Sequence, residues 1–224
     1  MRILLVGHGR MGRFVESLAP EYECQVAGVV DSQSSLSDDD WGPVDVAIDF
    51  SSPSAVGVNA PVLARRGINL VVGTTGWQQD EARVRAAVEE SGVGIVAAPN
   101  FSTGVAIFQA AVAQPAALFA RQDEFGAWIH EAHHAAKKDA PSGTALMLAR
   151  VMAQAGFARP IDVSSTRAGY VPGTHTVGFD GPAESIVLSH TARDRSTFAR
   201  GALLAARWVK GRRGWFTMKD VLGL

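Results

Sequence analysis

The run Ile3-Leu4-Leu5-Val6 is short, apolar and without alternation, and Gly7-His8-Gly9-Arg10-Met11-Gly12 follows it at once. Such a run fits a strand covered on both faces, the environment of a parallel sheet rather than a half-wet antiparallel one. Glycines at Gly7, Gly9 and Gly12 permit a tight turn into a helix, and they let backbone N–H groups approach a pyrophosphate at the helix's positive end. A lone G-x-G-x-x-G says little. Here Phe14 to Leu18 turns helical behind it, and a second apolar strand, Val26 to Val30, ends in Asp31, nineteen residues beyond Gly12. An acid in that place accepts hydrogen bonds from an adenosine ribose. The stretch predicts a dinucleotide-binding unit, and a chance glycine turn is the weaker reading.

The alternation continues. Val44 to Phe50, Ile68 to Val72 and Val93 to Ala97 read as strands, with helices over Ala55 to Arg66 and Glu81 to Glu90 between them. Pro61 predicts a kink or a late start in the first of these helices. The segments that leave the strands are Asp49-Phe50-Ser51-Ser52-Pro53, Gly73-Thr74-Thr75-Gly76 and Ala98-Pro99-Asn100-Phe101-Ser102. They place small polar groups where ligands of open α/β sheets bind. Ser32 to Asp40, with three consecutive acids, reads as a solvated loop. Strand and helix in strict turn predict a doubly wound parallel sheet.

After Thr103 the pattern changes. A long apolar helix over Gly104 to Ala120, interrupted by Pro115, precedes a strand over Phe125 to Ala132 and a helix over Ala145 to Ala155 that Gly156 closes. Strands then follow without helices between them, at Asp162 to Arg167, His175 to Phe179 and Glu184 to His190. That order predicts a second, α+β domain containing a mixed or antiparallel sheet. Helical Phe198 to Lys210 and an aromatic tail, Trp215-Phe216, end the chain.

Chemistry concentrates between Glu131 and Thr144, E-A-H-H-A-A-K-K-D-A-P-S-G-T. Ser142, Gly143 and Thr144 stand where a helix begins, so their N–H groups and the helix dipole favour an anion. Lys137 or Lys138 adds a full positive charge, and a histidine exchanges protons near neutral pH. If the strand stayed extended, His133 and His134 would point to opposite faces. A solvated charged loop is the bland alternative. A metal site on His130, His133 and His134 is weaker still, because the lysines repel a cation and nothing completes a ligand shell.

Composition narrows the partners. A net charge of −1 gives no reason to expect nucleic acid or an anionic membrane surface, and no apolar run approaches a membrane span. One cysteine, Cys24, in an apolar run excludes an intrachain disulfide, fits a reducing cytosol and reads as buried filler. The N-terminal apolar run stops at Gly7 without a cleavage site, so a cytoplasmic protein is expected.

The block from Glu131 to Ala145 resembles the signature of the 4-hydroxy-tetrahydrodipicolinate reductase (dihydrodipicolinate reductase) family, matching each fixed position of E-x-H-H-x-x-K-x-D-A-P-S-G-T-A. The glycine loop, Asp49-Phe50-Ser51, Gly73 to Gly76, Ala98 to Ser102, Gly173-x-His175, the segment His190 to Ala202 and Met218-x-Asp220-Val221-Leu222 are similar to the family's motifs, in the family's order. The glycine loop is one residue shorter than in many members.

The resemblance implies a Rossmann-type cofactor domain over 1–103 and 196–224, and a substrate and tetramerisation domain over 104–195. The implied partners are NADH or NADPH, a small cyclic imine dicarboxylate and further copies of the chain. It assigns His133 as the acid, with Lys137 as alternative donor and electrostatic stabiliser, and gives substrate contacts to His134, Lys137, Ser142, Gly143 and Thr144. It gives cofactor contacts to Gly7, Gly9, Arg10, Met11, Gly12, Asp31, Phe50, Ser51, Gly73, Thr75, Ala98, Asn100, Phe101, Arg195 and Phe198, and it implies no metal. His175 and His190 read as structural or supporting. A reductase of another amino or imino acid would keep the glycine loop and lack the His-His-Lys block, whereas a non-catalytic cofactor sensor would lose the acid and the lysine.

Overall fold

β1 (Arg2–Val6) lies between β2 (Gln25–Val30) and β3 (Val46–Asp49), parallel to both. β4 (Asn69–Val72), β5 (Gly94–Ala97) and β10 (Gly214–Phe216) extend the sheet beyond β3 in the order β10-β5-β4-β3-β1-β2, parallel throughout. Covered on both faces, the strands need no polar alternation, and Ile3, Leu4, Leu5 and Val6 are each at most 1% exposed. Ile3, Leu5, Ile48 and Val71 pack under α1 (Arg10–Leu18) and α6 (Ser196–Val209). Leu4, Val6, Leu70 and Ile95 face α2 (Pro53–Arg65) and α3 (Glu81–Ser91) on the other side. The computed structural model describes residues 1–34, 36 and 41–224. Most of the acidic loop expected over Ser32 to Asp40 lies outside the described residues.

The chain divides into two compact units, Met1–Thr103 with Arg195–Leu224, and Gly104–Asp194. The return of the C-terminal segment to the first unit is anchored by Asn69, 8% exposed. Its Nδ2 donates to the carbonyls of Val209 at 2.7 Å and Arg212 at 3.0 Å, where α6 stops and the chain turns into β10.

In the second unit β6 (Gly126–His133) runs parallel to β7 (Ile161–Arg167) and antiparallel to β8 (Thr174–Asp180), which pairs antiparallel with β9 (Ser185–Thr191). The sheet is therefore mixed, as expected. Ile129, Val177 and Phe179 on one face pack against Phe108 and Val112 of α4 (Thr103–Phe119) and Leu148 and Met152 of α5 (Gly143–Gln154). Neither helix covers the opposite face, which carries Trp128, His130, Ser164, Thr176, Val187 and Ser189 by register.

One local expectation fails and two are sharpened. Pro61 neither delays nor ends its helix: α2 starts earlier than expected, at Pro53, and Pro61 lies inside it and buried. Pro115 is likewise inside α4. Packing against the sheet outweighs the missing hydrogen bond in each case. The aromatic tail is no loose end, because Trp215 and Phe216 pair with Ile95 and Val96 as the edge strand β10, and the short α7 (Met218–Leu222) follows behind a Thr217–Asp220 capping box.

Candidate active site

Parallel strands bring every loop that follows a strand to one edge of the first unit's sheet. Gly7 follows β1, Asp31 follows β2, Phe50 follows β3, Gly73 follows β4 and Ala98 follows β5. The turn out of β1 requires glycine at its first and third glycine positions. Gly7 has φ +91°, a region costly for any side chain, and a Cβ there would sit 2.5 Å from the Phe50 carbonyl oxygen. A Cβ on Gly12 would meet the Gly7 carbonyl oxygen at 2.2 Å, whereas one on Gly9 would meet nothing within 4 Å. The first and third glycines thus close the turn, and the second leaves room above the start of α1. Gly9 is the N-cap of α1 and accepts from Arg13 N–H, so the first-turn N–H groups are directed at that room.

Two adjoining cavities open along this edge. One, of about 510 Å³, is lined by Gly7, His8, Arg13, Asp31 and Ser51; the other, of about 400 Å³, by Arg10, Met11, Gly73, Thr75 and Arg195. Phe50 and Ser51 belong to both. Asp31 is exposed, and its Oδ1 accepts from Gln33 N–H at 2.8 Å and Ser34 Oγ at 2.9 Å. Those hydrogen bonds hold its carboxyl below the ordinary range.

Beneath the edge lies Asp49, 2% exposed. Its Oδ1 accepts from Ser51 N–H (2.9 Å), Ser51 Oγ (2.7 Å) and Thr74 Oγ1 (2.8 Å), while Oδ2 is buried with no partner among the described residues. Burial pushes this carboxyl up, against the three donors that pull it down. One side chain therefore ties the loop after β3 to the loop after β4. Nothing in the sequence gives Asp49 this part; only the fold shows it beneath both loops. His8, a side chain inside the glycine loop, pairs with Glu16 at 2.7 Å, a contact that no sequence signal marks.

In the second unit the chemistry gathers on the helix-covered face of β6. Residues two apart on a strand share a face, so Glu131 and His133 are neighbours. Glu131 has no exposed surface. Its Oε2 accepts from His133 Nδ1 at 2.5 Å, the Arg167 guanidinium grips both oxygens at 2.6 and 2.9 Å, and Ser142 N–H reaches Oε1 at 3.1 Å. Burial alone would raise this carboxyl, but hydrogen bonds from Arg167, Ser165, His133 and Ser142 outweigh it and hold the pKa at about 2. An ionised carboxylate only accepts, so the proton of a neutral His133 resides on Nδ1. Burial lowers the His133 pKa, against Glu131, which raises it.

Ser142 caps α5, its Oγ accepting from Ala145 N–H at 3.2 Å and meeting His175 Nε2 at 2.9 Å. His175 is 5% exposed, and burial first, then His133, lowers its pKa to about 4. It is thus a neutral ring at neutral pH. Lys137 Nζ donates to both oxygens of Asp139, at 2.7 and 2.8 Å.

The structure brings the sequence-predicted residues into two groups. Gly7 to Gly12, Asp31, Phe50, Ser51, Gly73, Thr75, Ala98, Asn100, Arg195 and Phe198 lie in the first unit, and His133, His134, Lys137 and Ser142 to Thr144 in the second. Phe101 is 1% exposed, in the core and edge-on to Phe50 at 6.3 Å, so its side chain supports the loop from below. Ser142, 2% exposed, commits its N–H to Glu131; Gly143 and Thr144 occupy the first two helical positions, whose N–H groups have no acceptor within the helix. β6 ends at His133, which leaves His134 in the loop. His130 lies on the opposite face with Ser164 and Thr166, so the three histidines do not converge. Among the described residues no group of three or more His, Cys, Asp or Glu could hold a metal ion. Arg167, which the register pairs with His133 and whose guanidinium reaches back to Glu131, carries no sequence signal.

Comparison with known proteins identifies the family. The family described as dihydrodipicolinate reductase, N-terminus, matches residues 1–101, and that described as dihydrodipicolinate reductase, C-terminus, matches residues 104–222. The chain is 35% identical to the 4-hydroxy-tetrahydrodipicolinate reductase of Christiangramia forsetii, over 99% of this chain and 98% of that protein. It is 44% identical to the enzyme of the same name from Myxococcus xanthus, over 82% and 74%. A solved structure, a dipicolinate-bound dihydrodipicolinate reductase from Paenisporosarcina sp., shares the fold with a TM-score of 0.83 at 20% identity, over 98% of each chain. A Rossmann-type parallel sheet, a mixed second sheet and family matches spanning both make the chain a member of the dihydrodipicolinate reductase family.

Proposed function

We propose that the chain is an NAD(P)H-dependent 4-hydroxy-tetrahydrodipicolinate reductase of lysine and diaminopimelate synthesis, forming tetrahydrodipicolinate by way of dihydrodipicolinate. The observation that carries this reading is His133, ordered by a buried carboxylate on a strand end that runs into Lys137 and the start of α5. A dicarboxylate needs anion sites, and a reduced conjugated imine needs a proton. This loop offers both.

The first unit fits a dinucleotide. The room at Gly9, the first-turn N–H groups of Arg10, Met11 and Gly12, and the guanidinium of Arg10 suit a pyrophosphate. Asp31 suits a ribose. Phe50, Ser51, Gly73, Thr75, Ala98 and Asn100 line the nicotinamide end, Phe101 backs Phe50, and Arg195 with Phe198 approach from the return segment. Bound there, the reduced nicotinamide supplies the hydride.

The second unit handles substrate and proton. Gly143 and Thr144 N–H, presented by the Ser142 cap, take one carboxylate, and Lys137 with His134 takes the other. His133 delivers the proton from Nε2, with Lys137 as the alternative donor and as the charge that stabilises the developing anion. Cytoplasmic residence and a homotetramer built on the uncovered face of the second sheet complete the proposal, since an open sheet face and edge invite pairing.

Three outcomes test it. With substrate generated by the preceding synthase, the chain consumes NADH, and Lys137→Ala lowers kcat by about a hundredfold or more, on the order of 3 kcal/mol, without changing the dinucleotide KM. Half the activity retained would remove Lys137 from the mechanism. Both cofactors serve, with NADH ahead in kcat/KM by about tenfold or less, because Asp31 repels a 2′-phosphate and no basic residue follows it before Trp41; a clear NADPH preference in steady-state kinetics would contradict that role for Asp31. Sedimentation at micromolar concentration gives a tetramer, and a monomer would overturn the use of the uncovered face.

A further inference from the structure

The carboxylate of Glu131 has no exposed surface, yet it accepts from His133, Arg167 and Ser142 at once. The register explains how. In β6 Glu131 sits opposite Ser165 of β7 and His175 of β8, with His133 and Arg167 paired one step further on the same face. Every neighbour is therefore fixed by a strand pairing or, for Ser142, by the start of α5.

We propose that Glu131 is the positioning residue of the proton-delivery step, holding His133 by Nδ1 so that Nε2 is the reacting nitrogen, and in the same grip setting the first turn of α5. The proposal rests on the reading of His133 as the acid. In the step His133 gives up the proton on Nε2 and is left neutral with Nδ1–H on Glu131. Glu131 stays ionised throughout, because the Arg167 fork holds its charge. No proton passes to the carboxylate, and the ring cannot flip its tautomer without losing that hydrogen bond.

A second observation points to the same nitrogen. Gly173, at φ +144°, faces His133 Nε2, and a Cβ there would lie 3.1 Å from it. Glycine at this position puts no Cβ against Nε2, while Nδ1 is taken by Glu131. The charged and titratable groups around the pair are Arg167 from β7, His175 from β8 with His190 of β9 behind it, and Lys137 with Asp139 from the loop. Of these, Glu131 is the one that favours the imidazolium, while Lys137 and Arg167 oppose it.

Glu131→Gln removes the charge and preserves the volume. Nitrogen-15 NMR of the histidine rings should find neutral His133 as the Nδ1–H tautomer in the wild type. In the variant it should become a tautomer mixture that titrates at lower pH. In the reductase assay the variant's kcat should fall about tenfold or more at neutral pH, its limb should move to lower pH, and the dinucleotide KM should stay unchanged. A ring with unmoved tautomer and titration, and kcat within about twofold of wild type, would overturn the proposal. Should the lone Arg167 guanidinium prevent folding, Glu131→Gln with Arg167→Gln removes the uncompensated charge. That pair should fold and keep the altered ring and the low kcat, and wild-type values in it would equally overturn the proposal. A wild-type chain that reduces nothing would sink the functional reading instead, which an active wild type beside an unaltered variant would not.

Discussion

A carboxylate without exposed surface is tolerated only where its charge is met, because leaving an ion of that size unpaired inside a protein costs several kcal/mol. Glu131 meets the condition with donors from three separate segments: His133 on its own strand, Arg167 on β7 and Ser142 at the cap of α5. Breaking such a set by removing one partner costs about 3–5 kcal/mol, so the three segments are held in one geometry far more firmly than a surface loop would be. The loop between His133 and Ser142 inherits that rigidity, since Arg167 also donates to the Asp139 carbonyl at 2.6 Å. Lys137, tied to Asp139, is presented by a loop pinned at both ends.

The first unit solves a different problem. A parallel sheet sends every strand's carboxyl end to one edge, so a long, shallow ligand can be lined by loops distant in sequence. Those loops must then be fixed relative to one another, and Asp49 does this beneath the surface by binding Ser51 and Thr74 together. The glycines above serve closeness more than flexibility: Gly7 and Gly12 pack so near neighbouring carbonyl oxygens that no side chain fits.

Much of this was legible in the sequence. Apolar runs without alternation gave a parallel sheet, and the change to strands without intervening helices after residue 103 gave a mixed one, because burial on one face or two leaves a direct mark on residue order. The chemical block between Glu131 and Thr144 was equally plain. What stayed hidden depends on register. Nothing in Thr166-Arg167-Ala168 announces that its arginine closes on a glutamate thirty-six residues earlier, and nothing local to Asp49 or Phe101 tells that one lies beneath two loops and the other within the core. Pro61 misled about where α2 starts for the converse reason, since tertiary packing overrode a strong local rule. Trp215 and Phe216 looked like a tail because a three-residue edge strand is too short to show a period.

Two transfers define the proposed reaction of this chain, a hydride from a dinucleotide to a ring and a proton after it. The most direct measurement supplies the enzyme with NADH deuterated at the transferring position, together with freshly generated 4-hydroxy-tetrahydrodipicolinate, and reads the product by mass spectrometry and NMR. The expected product is tetrahydrodipicolinate carrying one deuterium on a ring carbon, with the added proton drawn from solvent. Unlabelled product, or a dinucleotide left unoxidised beside intact substrate, would contradict it.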